Sequence, residues 1–284
     1  MGSSKIDVQV SYDVSNEFFR LWLDEGMNYT CAVFETPDQS LEAAQRNKLR
    51  ILADYARITA DSAVLDVGCG WGANLEYLVT ARGVRLAHGV TLSDAQMQEI
   101  NRRKLPGVVA YGCDAREFRP TVRYSAVESI CMIDHLVAPA EARAGRAVEI
   151  YRRFFQNVHA WTLPGAYFGL QHIVRNRVPR DKKDLEDVYF CTHVMFPGGL
   201  NPRLEEIAQA VNPYWEIVEL ATRRLDYAKT TGEWQRRLRD HEREIRSRWG
   251  DRIFEDFDRY LGTCVRAFER HYSSLAQYSL RRID

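Results

Sequence analysis

Two periodicities alternate along the chain. Apolar residues at helical spacing behind a Ser15-Asn16 start signal predict an amphipathic helix over 12–23, and the capping pattern Ser40-Leu41-Glu42-Ala43-Ala44-Gln45 opens a second helix over 40–55. Between them, after Gly26, residues 27–34 form a loop rich in hydrogen-bonding and aromatic groups. Short apolar runs then predict strands near 63–67, 84–90, 108–111, 126–133 and 166–173, with helices between most of them. That alternation is the signature of an α/β fold with a mostly parallel, doubly wound sheet. A helix over 141–163 is expected to stop at Pro164-Gly165. The polar stretch 175–187 interrupts the alternation, as a solvated linker or as the start of a cap. Phe196-Pro197-Gly198-Gly199 is a turn, 204–211 a short helix and 215–220 a strand. From 232 to 271, charged residues with apolar ones at helical intervals predict helices with a solvated face, and 274–283 closes the sheet.

The 284 residues are expected to form a single domain: N-terminal helices over 1–60, a core over 61–173, and cap segments over 174–212 and 232–270. Residues 1 to about 10 are expected to be frayed. Lys+Arg and Asp+Glu both number 39, so no global field draws nucleic acid or an anionic membrane. The six cysteines lack CxxC or zinc-ligand spacing and suit reduced thiols in a cytoplasmic protein, with no metal. No secretory leader is recognisable, and no apolar run nears the roughly 20 residues that span a bilayer, so no stable membrane insertion is expected.

The chemistry concentrates after the first predicted strand, in Val64-Leu65-Asp66-Val67-Gly68-Cys69-Gly70-Trp71-Gly72. Glycines at alternate positions let backbone approach a ligand closely, and the next helix offers its unpaired N–H groups. A dinucleotide fingerprint would need GxGxxG; GxGxG behind an acid instead resembles the loop of class I S-adenosylmethionine-dependent methyltransferases.

Further motifs follow in one order: Tyr12-Asp13-Val14-Ser15-Asn16-Glu17-Phe18-Phe19, Tyr29-Thr30-Cys31-Ala32-Val33-Phe34, the glycine loop, and the FPGG turn. From about residue 11 onwards the chain resembles cyclopropane-fatty-acid synthases, most closely the mycolic-acid branch. The resemblance implies a class I methyltransferase (Rossmann-like) fold with seven strands, N-terminal helices covering the cofactor and an inserted helical cap over the pocket. It implies S-adenosyl-L-methionine as cofactor, held by Tyr29, Thr30, Asp66, Gly68, Gly70 and Gly72. Thr91 and Gln96 would lie at the ribose and Asp114, Ala115 and Arg116 at the adenine. It also implies a catalytic cluster of Cys31, Asp134, His172 and Tyr227, around a bicarbonate that accepts a proton after methyl transfer. Where the family has Glu this chain has Asp134, one methylene shorter.

A methylsulfonium needs no metal to be electrophilic, so positioning a π-nucleophile in line with it is the main task, followed by tolerance of a carbocation and removal of a proton. The expected activity is C-methylation of an alkene or electron-rich aromatic carbon, such as an indole, in a small hydrophobic or aromatic specialised metabolite. Unsaturated fatty-acyl lipids are the alternative, and a non-catalytic cofactor-binding relative is an alternative of another class. A homodimer is left open.

Overall fold

The computed structural model describes residue 2 and residues 14–284; the expected fraying and the first residues of the helix over 12–23 lie outside them. Helix α1 (Asn16–Arg20) is capped by the Ser15 hydroxyl, which accepts from the Phe18 amide at 3.1 Å. Ser40 caps α2 (Leu41–Tyr55) in the same way. Next come β1 (Ala63–Val67), α3 (Ala73–Thr80), β2 (Leu86–Thr91), α4 (Asp94–Arg103), β3 (Val108–Gly112) and β4 (Tyr124–Ile130). They are followed by α5 (Pro139–Arg143), α6 (Ala147–Trp161), β5 (Thr162–Arg175), α7 (Lys182–Phe190) and α8 (Leu204–Val211). The last elements are β6 (Trp215–Thr222), α9 (Arg224–Asp240), α10 (Glu242–Trp249), α11 (Asp251–Glu269) and β7 (Ser273–Arg282).

The seven strands run in the order β3-β2-β1-β4-β5-β7-β6, parallel from β3 to β5, with β7 antiparallel to both its neighbours. This is the class I methyltransferase sheet. The chain leaves β1 towards β2 and β3 and then returns to its other side at β4. Ligands of such sheets lie at that switch point, beyond the carboxyl ends of the strands.

Three expected boundaries move. The helix over 141–163 is two helices, because Gly145 takes φ 72 between α5 and α6. It ends earlier, at Trp161, where the Thr162 hydroxyl donates to the carbonyls of Val158 and His159 and the backbone turns extended. Pro164-Gly165 therefore lies inside β5 rather than stopping a helix. The strand over 126–133 stops at Ile130, and Ile133–His135 form a turn of 3₁₀ helix.

The stretch 175–187 is not a solvated linker: most of its second half belongs to α7. Two buried carboxylates of α7 hold it to arginines of α11 and its C-terminal cap, Asp187 to Arg259 and Arg266, and Asp184 to Arg266 and Arg270. Helix α11 turns Phe254, Phe257, Tyr260, Leu261 and Phe268 inward and its charges outward. These residues join Phe18, Phe19 and Trp22 of the N-terminal section in one aromatic core. Each buried aromatic contributes roughly 1.5–3 kcal/mol. That core stands over the carboxyl ends of β1, β4 and β5.

Candidate functional site

At the switch point the glycine loop borders a cavity of about 590 Å³ that runs on beneath α7 and α11. Gly68 and Gly70 both take left-handed backbone, φ 89 and φ 53. A Cβ on Gly68 would strike the Met132 side chain at 2.5 Å, whereas one on Gly70 would meet no protein atom within 4 Å. Gly68 is thus glycine for packing, and Gly70 for the open space beside it. Gly72, also positive in φ, does not line the cavity; its missing side chain makes room for Ile100 and begins α3.

Asp66, at the end of β1, lines the floor. One of its carboxylate oxygens accepts from Asn74 Nδ2 at 3.1 Å and the other has no partner. The same amide donates at 2.7 Å to Glu128, which faces Asp66 across the β1–β4 ladder. Burial pushes Asp66 up to about 6, while burial and then the Asp66 charge push Glu128 up to about 8. An unpaired acid oxygen and an open glycine backbone fit the ammonium and carboxylate of a methionyl group. Further along, the Thr91 hydroxyl donates to the Gln96 carbonyl at 2.7 Å, and both residues line the wall beside Asp114, Ala115 and Arg116. Asp114 is clasped by the Arg116 guanidinium, Nε lying 2.9 and 3.0 Å from its two oxygens.

Sequence patterning passed over what holds the N-terminal loop on the cavity. Lys48 is only 1% exposed, and its ammonium donates to Asn28 Oδ1 at 2.9 Å and to the Thr30 hydroxyl at 3.1 Å. Gln45 donates to the Thr30 carbonyl at 2.9 Å, and Asp24 accepts from the Asn28 amide and side chain. Tyr29 and Thr30 are thereby placed on the cavity wall. A signal existed: Lys48 sits one turn from both Ala44 and Leu52 on the apolar stripe of α2, where a solvated lysine would be out of place.

Of the four residues expected around the reacting carbon, the structure brings two to the cavity. Asp134 lines it, both carboxylate oxygens accepting from the Ile173 amide at 3.2 and 3.3 Å. Tyr227 lines it too, stacked on Phe268 with ring centroids 4.4 Å apart. His172 does not. Side chains alternate along a strand, and β5 points Ile173 into the cavity and His172 to the other face. There its ring donates to or accepts from the Tyr278 hydroxyl at 3.1 Å, and burial pushes it down to about 4. Cys31 is fully buried outside the cavity lining, its sulfur on the carbonyls of Ala32 and Arg223.

In their place stands Cys131, which the sequence reading omitted. It is a cavity residue with φ 59, its amide donating to the Gln171 carbonyl at 2.7 Å and its sulfur accepting from the Gln171 side-chain amide at 3.5 Å. Burial drives the pKa of Asp134, Cys131 and Tyr227 well upward. A sulfonium arriving beside Asp134 has the opposite effect, favouring its ionised form.

Two outcomes separate support from chemistry. His172→Ala is expected to keep methyl transfer and product-cofactor affinity within about twofold while losing about 1–3 kcal/mol of stability, because the Tyr278 hydroxyl is left unsatisfied; turnover beside thermal unfolding checks it. Glu128→Gln is expected to gain stability relative to the parent as pH rises. The Glu128 native pKa lies above its ordinary 4.5, so its contribution is complete below about 4.5 and lost by about 8. The difference over that interval is on the order of 5 kcal/mol, read from denaturant midpoints at several pH values.

The profile of the mycolic acid cyclopropane synthetase family matches residues 2–278. The chain belongs to that family. Cyclopropane mycolic acid synthase 2 of Mycobacterium bovis is 28% identical over 96% of this chain and 93% of its own. The S-adenosylmethionine-dependent methyltransferase UmaA of Mycobacterium tuberculosis is 30% identical over 96% of each. The solved mycolic acid cyclopropane synthase CmaA1, complexed with SAH and CTAB, superposes with a TM-score of 0.89 over 99% of both chains at 23% identity, which bears on the fold. Membership makes this family member a methyltransferase that uses S-adenosylmethionine. Among the described residues no helix is long and apolar enough to cross a membrane.

Proposed function

We propose that the protein transfers the methyl group of S-adenosylmethionine to a carbon–carbon double bond of an unsaturated acyl-type chain. The observation that carries this reading is one uninterrupted cavity. It joins the glycine cradle to a chamber walled by Tyr227, Tyr260 and Phe268, with Val188 and Leu200 also in its lining. Aromatic faces stabilise a substrate carbocation, and the Asp134 carboxylate is the group within that chamber suited to taking the proton that follows methyl addition. The cofactor supplies the electrophilic methyl; Tyr29 and Thr30 hold its position, and the aromatic roof keeps water from the cation. The names of the relatives, which are mycolic acid synthases, agree with a chain-like acceptor.

A second reading, C-methylation of a small π-nucleophilic metabolite, draws on the shorter acid at Asp134 and on the polar lip of the cavity. Labelled cofactor incubated with unsaturated phospholipids, acyl thioesters and indole or alkene metabolites decides between them. Label in the lipid or thioester products is the expected result, and label confined to the small metabolites overturns the acyl reading. Cofactor that is bound but never consumed with any panel would make the chain a non-catalytic relative.

A further inference from the structure

The cavity is apolar along most of its length, yet its lip carries three arginines. Arg175, the last residue of β5, and Arg177 just beyond it are joined by Arg203, which precedes α8. Arg175 is partly neutralised, its guanidinium lying 3.4 Å from Glu206 and also donating to the Asn201 carbonyl at 3.1 Å. The guanidiniums of Arg177 and Arg203 have no carboxylate partner among the described residues, although the Arg203 amide donates to Glu206 at 2.7 Å. Arg177 donates to the Arg270 carbonyl and lies 5.6 Å over the Tyr272 ring, and Arg203 donates to the Asn176 carbonyl at 3.4 Å. The other buried acid nearby, Asp184, is already held by Arg266, Arg270 and Tyr272. Beside them Val178 is 69% and Leu185 48% exposed.

Arg177 and Arg203 thus bring two uncompensated guanidiniums to one edge of the cavity, where an external anion would find them. Guanidinium forks suit the paired oxygens of a carboxylate or a phosphate. We propose that Arg177 and Arg203, with Arg175 behind them, form a subsite for the anionic head of an amphiphilic substrate whose unsaturated part enters the cavity. This deepens the acyl reading and rests on it.

The test is calorimetric and needs no turnover. With SAH bound, the protein is titrated with cis-4-decenoate, its methyl ester and the matching decenyl phosphate, with inorganic phosphate as competitor. The expected result is that the two anionic probes bind about tenfold or more tighter than the ester. Inorganic phosphate competing with the anions but not the ester supports the subsite, and whichever anion binds tighter identifies the head as carboxylate or phosphate. In Arg177→Gln/Arg203→Gln the advantage is expected to fall to about twofold or less, with ester and SAH affinities unchanged, which also shows that the variant is folded. Equal binding of acid and ester by the parent protein, or a preference that survives in the double variant, overturns the proposal. Should these probes bind as expected while no alkene is ever methylated, the acyl-methylation reading falls and the anion subsite stands.

Discussion

Gly70→Ala is expected to weaken S-adenosylmethionine binding by roughly 10- to 100-fold while the protein stays folded. The added methyl meets nothing of the protein within 4 Å, so whatever it obstructs must come from outside the chain. Forcing an extra methyl into a fitted contact costs about 1–3 kcal/mol, and each 1.4 kcal/mol is about a tenfold loss of affinity. Alanine at φ 53 adds about 1 kcal/mol of backbone strain, which lowers stability modestly. Gly68→Ala is the contrasting case, since its methyl collides with Met132 and the damage falls on the fold itself. Titration with SAH beside a thermal melt separates the two. Unchanged affinity in Gly70→Ala would show that the donor lies elsewhere.

Asp134→Asn is expected to cut kcat by about 10²- to 10⁴-fold, the range of a lost general base, with SAH affinity unaltered. Asparagine keeps the acceptor for the Ile173 amide, so the wall stands, but it cannot take a proton. The pH profile carries the same signature with a definite sign. Burial raises the Asp134 pKa well above the ordinary carboxylate range, so turnover of the parent should climb with pH as that proton leaves. The residual rate of the asparagine variant should be flat over the same interval. Near-parental turnover in Asp134→Asn would move the proton acceptor to another group.

The architecture was legible because its signals are local. The helix over 204–211 and the strand over 63–67 coincide with α8 and β1, each marked by its own periodicity and end signals. The loop bearing Gly68 and Gly70 needed only spacing. Pro164-Gly165 misled because the cap that ends α6 is the Thr162 hydroxyl, for which a proline two residues on is incidental. The site was harder to read, since membership depends on which face of a strand a residue takes. A shift of one position along β5 exchanges Ile173 for His172, and a motif match cannot sense that parity. Cys131 was missed because its significance is conformational: a left-handed backbone at a non-glycine residue leaves no mark in composition. Lys48 was readable and overlooked, being a charge on an apolar stripe.

The position of β7 constrains how the molecule can come into being. Although β7 is the last of the strands to be synthesised, it is threaded between β5 and β6 rather than added at a rim. While residues 273–282 are still missing from a nascent polypeptide, β5 keeps a long unpaired border and β6 has no neighbour. Such borders recruit strands from other chains, so the nascent chain is most exposed to aggregation until β7 is made. The aromatic roof of the cavity belongs to that same late phase, since Tyr227, Tyr260 and Phe268 are translated only shortly before the strand that locks the sheet.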